Sequence, residues 1–257
     1  MVKKFQIYAA LMSALTVGCG VSNHKGNVAA PKAYVTPTDA HRAYSIVEEI
    51  DYLPFEYTAD GCYARALYMS MELAAEGIPS SSQFIKATQG VLNFDGTTWT
   101  YHVAPALIVS NSPATAPQTE AVLHKKVSRD TVEQVPSEVT IVDPAMSQTP
   151  LSLRDWVKKM VRSNNTKAYT VMVPANYYDP YNPPSENMHK NIVRSFEALP
   201  KFRLSDIGSA CKDMEEKLGD QEQRKAKLRQ RTQELIDSLD AVGKLSKDVS
   251  FEFVSCL

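Results

Sequence analysis

The stretch from Trp99 to Val109 constrains this chain more than any other part of it. It alternates polar and apolar residues at first and then becomes continuously apolar, the pattern of a central strand. A strand that is apolar on both faces needs neighbours beside it and cover on each side. The other residues have to supply that cover, and a chain of 257 residues with 44% hydrophobic content is ample for a sizeable core. Helical and strand patterns succeed one another without the regular alternation of a parallel sheet, so the expected class is α+β.

From Asp39, the residues Ala40, Tyr44, Val47 and Ile50 follow helical spacing. Tyr52 to Asp60 is irregular, with Pro54 as a breaker. A second helix starts near Gly61-Cys62, carries Tyr63, Leu67, Met71 and Ala74 on one stripe, and stops at Gly77. Asn111 to Pro136 is a long connection rich in Ser, Thr and Pro, with at most one short edge strand. Val139 to Val142 is a short strand stopped by Pro144. Thr149-Pro150 opens a third helix as an N-cap followed by Pro at the first position. Its Leu153, Trp156, Val157, Met160 and Val161 form an apolar stripe for the core. Tyr169 to Val173 is another strand, and Ala175 to Asn191 is a loop dense in Pro, Asn and Tyr. After Cys211, charges of both signs alternate as far as Lys247, with Leu228, Leu235, Leu239 and Val242 at helical steps. That reads as a long helix or a helical pair broken at Gly219-Asp220, its charges forming a solvated face.

The N-terminus reads as an address. Lys3 and Lys4 precede a mostly apolar stretch from Phe5 to Gly18, short for a spanning helix and right for a signal peptide over 1–18. No apolar run reaches the roughly 18 residues of a transmembrane helix. Leu15-Thr16-Val17-Gly18-Cys19 resembles a bacterial lipobox, with Leu15 one place further from the cysteine than usual. Cys19 is therefore either a lipidation site or a neighbour of simple secretory cleavage. Both routes take the chain out of a bacterial cytoplasm, to the envelope, the periplasm or the medium, and make disulfides admissible. Membrane contact would come only through a lipid anchor at Cys19. Residues 19–38 are polar and small and read as a tether, and 39–257 as the folded domain. Over the whole chain, 28 Lys and Arg against 29 Asp and Glu leave a net charge of −1, which argues against a uniformly basic nucleic-acid surface.

Three residues carry a chemical pattern. Cys62 opens a helix, where backbone N–H groups and the positive end of the dipole favour a thiolate, and Gly61 before it allows a tight turn. His102 sits within an apolar strand, and Asp143 ends the next one. Each alone has a structural reading: a small buried hydrophobe, a satisfied core histidine, a turn cap. Together, in that chain order, they match the nucleophile, base and carboxylate of papain-like cysteine enzymes. His24, His41, His124 and His189 are weaker candidates for the base. Tyr63, Trp99 and Tyr101 flank the set as cleft walls or as packing beneath it, and stand outside the catalytic group. No HExxH, paired CxxC or glycine-rich phosphate loop is present, so neither metal nor cofactor is expected.

The run Asp60-Gly61-Cys62-Tyr63-Ala64-Arg65-Ala66 resembles the nucleophile segment of the bacterial protein-glutaminases, which deamidate glutamine side chains in proteins. Trp99-x-Tyr101-His102-Val103-Ala104 is similar to that family's histidine strand, and Ile141-x-Asp143-Pro144 to its aspartate strand. Leu199-x-Lys201-Phe202 and the final Ser255-Cys256 resemble the end of the family domain. The likeness runs patchily from Tyr52 to Leu257, and Lys212 to Lys247 looks like an insertion in it. The connection between His102 and Asp143 is longer than in the family, and a short tether stands where the family has a sizeable pro-region.

The resemblance implies a papain/transglutaminase-like core, with the nucleophile helix packed on an antiparallel sheet and a charged helical excursion near the C-terminus. It implies Cys62, His102 and Asp143 as catalytic residues, and protein or peptide substrates with accessible glutamine. It also implies a Cys211–Cys256 disulfide, one of three pairings that four cysteines allow. The Cys62 backbone N–H is then the natural oxyanion donor, with a second donor in Phe55 to Gly61. A transglutaminase or a cysteine peptidase would share the same acyl-enzyme step. A surface-tethered binding protein with a vestigial triad, docking a partner on the charged helices, is the alternative of another class.

Overall fold

The computed structural model describes residues 34–110, 124–186, 188, 200–250 and 256. The expected signal peptide, Cys19, most of the tether, His24, His189, Leu199 and Ser255 lie outside the described residues. Among the described residues, no helix is long and apolar enough to cross a membrane.

The fold is a mixed α+β arrangement around one antiparallel sheet. Helix α1 spans Pro37–Glu48 and starts on a capping box, in which Asp39 N–H donates to Thr36 Oγ1 at 3.1 Å and Thr36 N–H to Asp39 Oδ2 at 3.1 Å. The chain joins the fold slightly before this helix. Val35 is buried and forms a bridge with Val109, its N–H donating to Ile108 O at 2.9 Å. Helix α2, Cys62–Ala75, follows the irregular segment 51–60 and ends before Gly77, whose φ of 73° turns the chain away.

Six strands make the main sheet: β1 Ser81–Gln89, β4 Tyr101–Ile108, β5 His124–Ser128, β6 Val139–Ile141, β7 Leu151–Ser152 and β8 Lys167–Pro174, in the order β5-β8-β1-β4-β6-β7. All of its pairings are antiparallel. Strands β2 Leu92–Phe94 and β3 Thr97–Trp99 form a separate hairpin. Trp99 therefore stands outside the long interior strand in which the sequence pattern placed it.

Strand β1, which pairs with both β4 and β8, has no counterpart in the sequence reading. It opens with Ser81, Ser82 and Gln83, which are buried although polar, and only Phe84 and Ile85 give an apolar signal. Strand propensity is set by neighbours more than by intrinsic preference, and here the neighbours override a polar start. The third helix, α3 Leu153–Met160, begins later than Thr149-Pro150. Ser152 is its N-cap, accepting from Asp155 N–H at 3.1 Å, because Leu151 and Ser152 first pair with Ile141 and Thr140.

The sheet is covered on both sides. Phe84, Val103, Leu107, Val171 and Val173 belong to the larger core, shared with α1, α2 and two C-terminal helices, α4 Leu204–Leu218 and α5 Glu222–Ala241. Ile85, Ala104, Ala106 and Met172 belong to the smaller core, shared with α3 and its fully buried Trp156. Two short strands, β9 Phe202–Arg203 and β10 Leu245–Ser246, pair in parallel beside the C-terminal helices.

The C-terminal helices break at Gly219, and α4 starts at Leu204, before the composition changes after Cys211. The Cys211–Cys256 disulfide is present, with Cα atoms 5.8 Å apart. The charged run is only partly solvated. Leu228, Leu235, Ile236 and Leu239 are buried, whereas Val242 is exposed. Arg231 reaches the buried Glu72 of α2 as a fork, with Nε to Oε1 at 2.8 Å and Nη2 to Oε2 at 2.6 Å. Tyr52 OH donates to the same Oε1 at 2.7 Å, so the buried carboxylate is fully engaged.

Candidate active site

Cys62 is the first residue of α2, and its thiol is free. Gly61 is the N-cap and has a left-handed backbone, φ 78° and ψ 9°, which a side chain would strain. A Cβ at Gly61 would also lie 2.9 Å from Met214 Cε on α4. No side chain caps the helix, so nothing from the N-cap residue occupies the N–H groups of the first turn around the thiol. Cys62 is buried, with 8% of its surface exposed, and packs in the larger core.

His102 is the second residue of β4, and its backbone lies opposite Ile85 of β1. Asp143 follows β6 directly. Ile141 pairs with Ala106, and Val142 N–H donates to Pro105 O at 2.9 Å. Continuing that register sets Asp143 opposite Ala104, diagonal to His102 on the same face. The side chains meet there: His102 Nε2 and Asp143 Oδ2 are 2.9 Å apart, and both residues are buried. The turn after Asp143 is fixed by its own carbonyl, which accepts from Met146 N–H at 3.0 Å and Ser147 N–H at 3.1 Å.

Both tryptophans of the chain hold this pair. The Trp99 ring stacks on the His102 imidazole at 5.0 Å between centroids and 15° between planes. Trp156 lies against the imidazole at 5.6 Å, and its Nε1 donates to Asp143 Oδ2 at 2.8 Å. One carboxylate oxygen thus accepts two buried N–H donors.

Burial by itself pushes the His102 pKa down. The charge and hydrogen bond of Asp143, followed by the interaction with the Cys62 side chain, outweigh it and raise the value from 6.5 to about 9. For Asp143 burial works upward, and the charge and hydrogen bond of His102, then the Trp156 N–H and the charge of Arg65, bring the net below the ordinary value. The pair is therefore an imidazolium and a carboxylate at neutral pH. Nδ1 of His102 has no hydrogen bond of good geometry, although the Cys62 side chain is close enough to interact with the ring.

The three sequence-selected residues Cys62, His102 and Asp143 thus meet at one place. His41 is exposed on α1, and His124 lies on the edge strand β5. Tyr101 and Tyr63 are tied to the loop after β8: Tyr101 OH donates to Pro180 O at 2.9 Å, and the Tyr63 ring meets Tyr178 edge-on at 5.7 Å. Trp156, placed in the core by its helical stripe, also touches both members of the His–Asp pair. Only the indole N–H, a donor that must find a partner when buried, hinted at that role. Among the described residues, no group of three or more His, Cys, Asp or Glu side chains is placed to hold a metal ion.

Residues 39–135 match the family model described as glutaminase. That segment holds the Cys62 helix and the His102 strand, and Asp143 lies beyond it. No curated protein sequence matches the chain. Among solved structures, a crystal structure of protein-glutaminase is similar at a TM-score of 0.41 and 19% identity, covering 60% of this chain and 82% of that one. An NMR structure of protein-glutaminase from Chryseobacterium proteolyticum gives 0.42 and 21%, with 60% and 78% covered. A crystal structure of pro-protein-glutaminase gives 0.41 and 18%, with 68% and 63% covered. The match over residues 39–135 makes that segment, with the Cys62 helix and the His102 strand, similar to the glutaminase family.

Proposed function

We propose that the protein is a protein-glutamine deamidase that works through a Cys62–His102–Asp143 thioester mechanism. The observation that carries this reading is the buried His102–Asp143 pair, 2.9 Å apart, beside a free thiol at an uncapped helix start within a glutaminase-family segment. The Cys62 thiolate attacks the side-chain carboxamide carbon of a glutamine. The oxyanion that forms is held by the Cys62 backbone N–H and a donor from Phe55 to Gly61. His102, cationic at neutral pH, gives its proton to the departing nitrogen, the C–N bond breaks, and ammonia leaves. His102, now neutral, takes a proton from water. The resulting hydroxide attacks the thioester carbon, the C–S bond breaks, and glutamate and the thiolate are released.

In this reading the nucleophile helix, the His strand and the Asp strand form a papain/transglutaminase-like core, and residues 39–257 form the catalytic domain. The leader with Lys3, Lys4 and the apolar run to Gly18 supports export from a bacterial cytoplasm, with Cys19 as the lipid site. A disulfide between Cys211 and Cys256 fits an oxidising compartment.

The test is to treat a glutamine-bearing protein with the purified enzyme and record both ammonia and mass. Deamidation gives ammonia and a gain of about one dalton per site, whereas crosslinks would mean transfer to lysine and new termini would mean proteolysis. Cys62→Ser should abolish ammonia release and leave the circular dichroism spectrum unchanged. Undiminished release by that variant would remove the mechanism.

A further inference from the structure

The segment 51–60 leads into Cys62 and contains no helix or strand. Its backbone carbonyls need partners all the same, since unpaired buried polar groups are costly. Two guanidinium groups reach five of the ten. From the outside, Arg224 at the start of α5 donates through Nε to Asp51 O at 3.1 Å and through Nη2 to Leu53 O at 2.6 Å. From the inside, Arg65 Nη1 donates to Tyr57 O at 2.7 Å, Asp60 O at 3.0 Å and Pro54 O at 3.4 Å. Trp99, the residue stacked on His102, adds Nε1 to Thr58 O at 2.7 Å. Six of the ten carbonyls in the segment are held by side chains that converge on it from three elements.

The placement of Arg65 is unfavourable on its own terms. It lies in the first turn of α2 and is only 3% exposed. A buried cation at the positive end of a helix dipole is the reverse of the stabilising arrangement. The carbonyl cage offsets that cost, and the charge also bears on Asp143. The side chains of the segment are held from outside as well. Asp51 pairs with Lys227, Glu56 with Arg224, and Asp60 Oδ2 lies 3.2 Å from Lys217 Nζ, all three cations belonging to α4 and α5. Asp60 Oδ1 in turn accepts from Gly61 N–H at 2.6 Å, immediately before the thiol.

We propose that Arg65 and Arg224 are positioning residues that jointly set the conformation of the 51–60 segment, and through it the backbone amides presented to the Cys62 thiol. The charged C-terminal helices act in this scheme as a brace for the nucleophile loop, not as a docking site. The proposal deepens the deamidase reading and rests on it for the reaction that is measured. Alkylation of Cys62 by iodoacetamide tests the same geometry without that reaction.

The experiment compares Arg224→Gln, Arg65→Gln and Arg65→Lys with the full-length wild type. Arg229→Gln, whose partner is Glu215 of α4, is the control. Ammonia release is analysed for kcat and KM, Cys62 alkylation is followed against pH, and melting is recorded for each variant. The folded Arg224→Gln protein should lose about tenfold or more in kcat with KM within about twofold, since small misplacements near the chemistry cost up to ~10²-fold. Its alkylation profile should move away from that of the wild type. Arg65→Gln should lose more, with partial recovery in Arg65→Lys, because an ammonium keeps the charge but cannot span three carbonyls. If Arg65→Gln does not fold, Arg224→Gln and Arg65→Lys decide. A raised KM with unchanged kcat in Arg224→Gln would mean substrate docking and would overturn the proposal, as would wild-type kcat and an unmoved alkylation profile. If the wild type releases no ammonia, the deamidase reading falls, and the alkylation profiles alone judge the brace.

Discussion

Replacing Asp143 by Asn isolates the charge in the buried His102–Asp143 pair. Asparagine has the same outline, and its carbonyl oxygen can still accept from His102 Nε2 and Trp156 Nε1, which now converge on one oxygen at 2.9 and 2.8 Å. What disappears is the negative charge. With it goes the leading influence that raises His102, while burial, the largest influence of all, still lowers it. The ring pKa should therefore fall from about 9 to its ordinary 6.5 or below. At pH 7 the wild-type ring is about 99% cationic, and the variant ring would be about one quarter cationic or less. Loss of protonation alone is thus worth roughly fourfold, and loss of the fixed tautomer takes the total fall in ammonia release to ~10²–10⁴-fold.

Stability gives a second readout of the same substitution. His102 has a folded pKa above its unfolded one, so its contribution is complete below pH 6.5 and is lost as pH rises through about 9. The 2.5-unit difference between those two values corresponds to something on the order of 3 kcal/mol. Asp143 has a lowered folded pKa, so its contribution is present above the ordinary carboxylate range and lost in acid. Urea unfolding of the wild type should show the alkaline decline between those values, and Asp143→Asn should not. Imidazole titration followed by nitrogen-15 NMR gives the ring pKa directly. A ring that still titrates near 9 in the variant, or ammonia release within a few-fold of wild type, would refute the reasoning.

Gly61→Ala should cost about 1–2 kcal/mol, because φ of 78° is left-handed and the new Cβ meets Met214 Cε at 2.9 Å. Thermal melting against a Gly77→Ala control, where φ is also positive but nothing lies within 4 Å, separates contact from backbone strain. Reducing the Cys211–Cys256 bond, or replacing both cysteines by Ser, should lower stability by about 3–4 kcal/mol on loop entropy, given a separation of 45 residues. Urea midpoints with and without reductant measure it, and no change would mean that the packing of α5 already holds the closure.

The sequence disclosed this molecule unevenly. Helices α1 and α2 were legible because their apolar spacing, and for α2 the punctuation of Gly61 and Gly77, agree with the packing they meet, although α1 starts at Pro37, two residues before the expected Asp39 and within the stretch read as tether. Strand β4 was legible because an unbroken apolar run has few other places to go. Strand β1 was not, since Ser81, Ser82 and Gln83 take their strand conformation from β4 and β8 on either side. Ser152 replaced Thr149 as an N-cap for a similar reason, because pairing with Thr140 carries the strand past the local helix signal.

For the site, the residue types and their order singled out Cys62, His102 and Asp143, because few side chains suit nucleophile, base and orienting carboxylate. Chain order cannot say that β6 registers against β4 so that Asp143 falls diagonal to His102. Nor can it say that the two tryptophans close on the ring from separate elements, or that cations at 217–227 grip a loop more than 150 residues earlier. Chemical identity is local and can be read along the chain. Distance between remote side chains is set by sheet register and helix packing, and only the folded molecule fixes those.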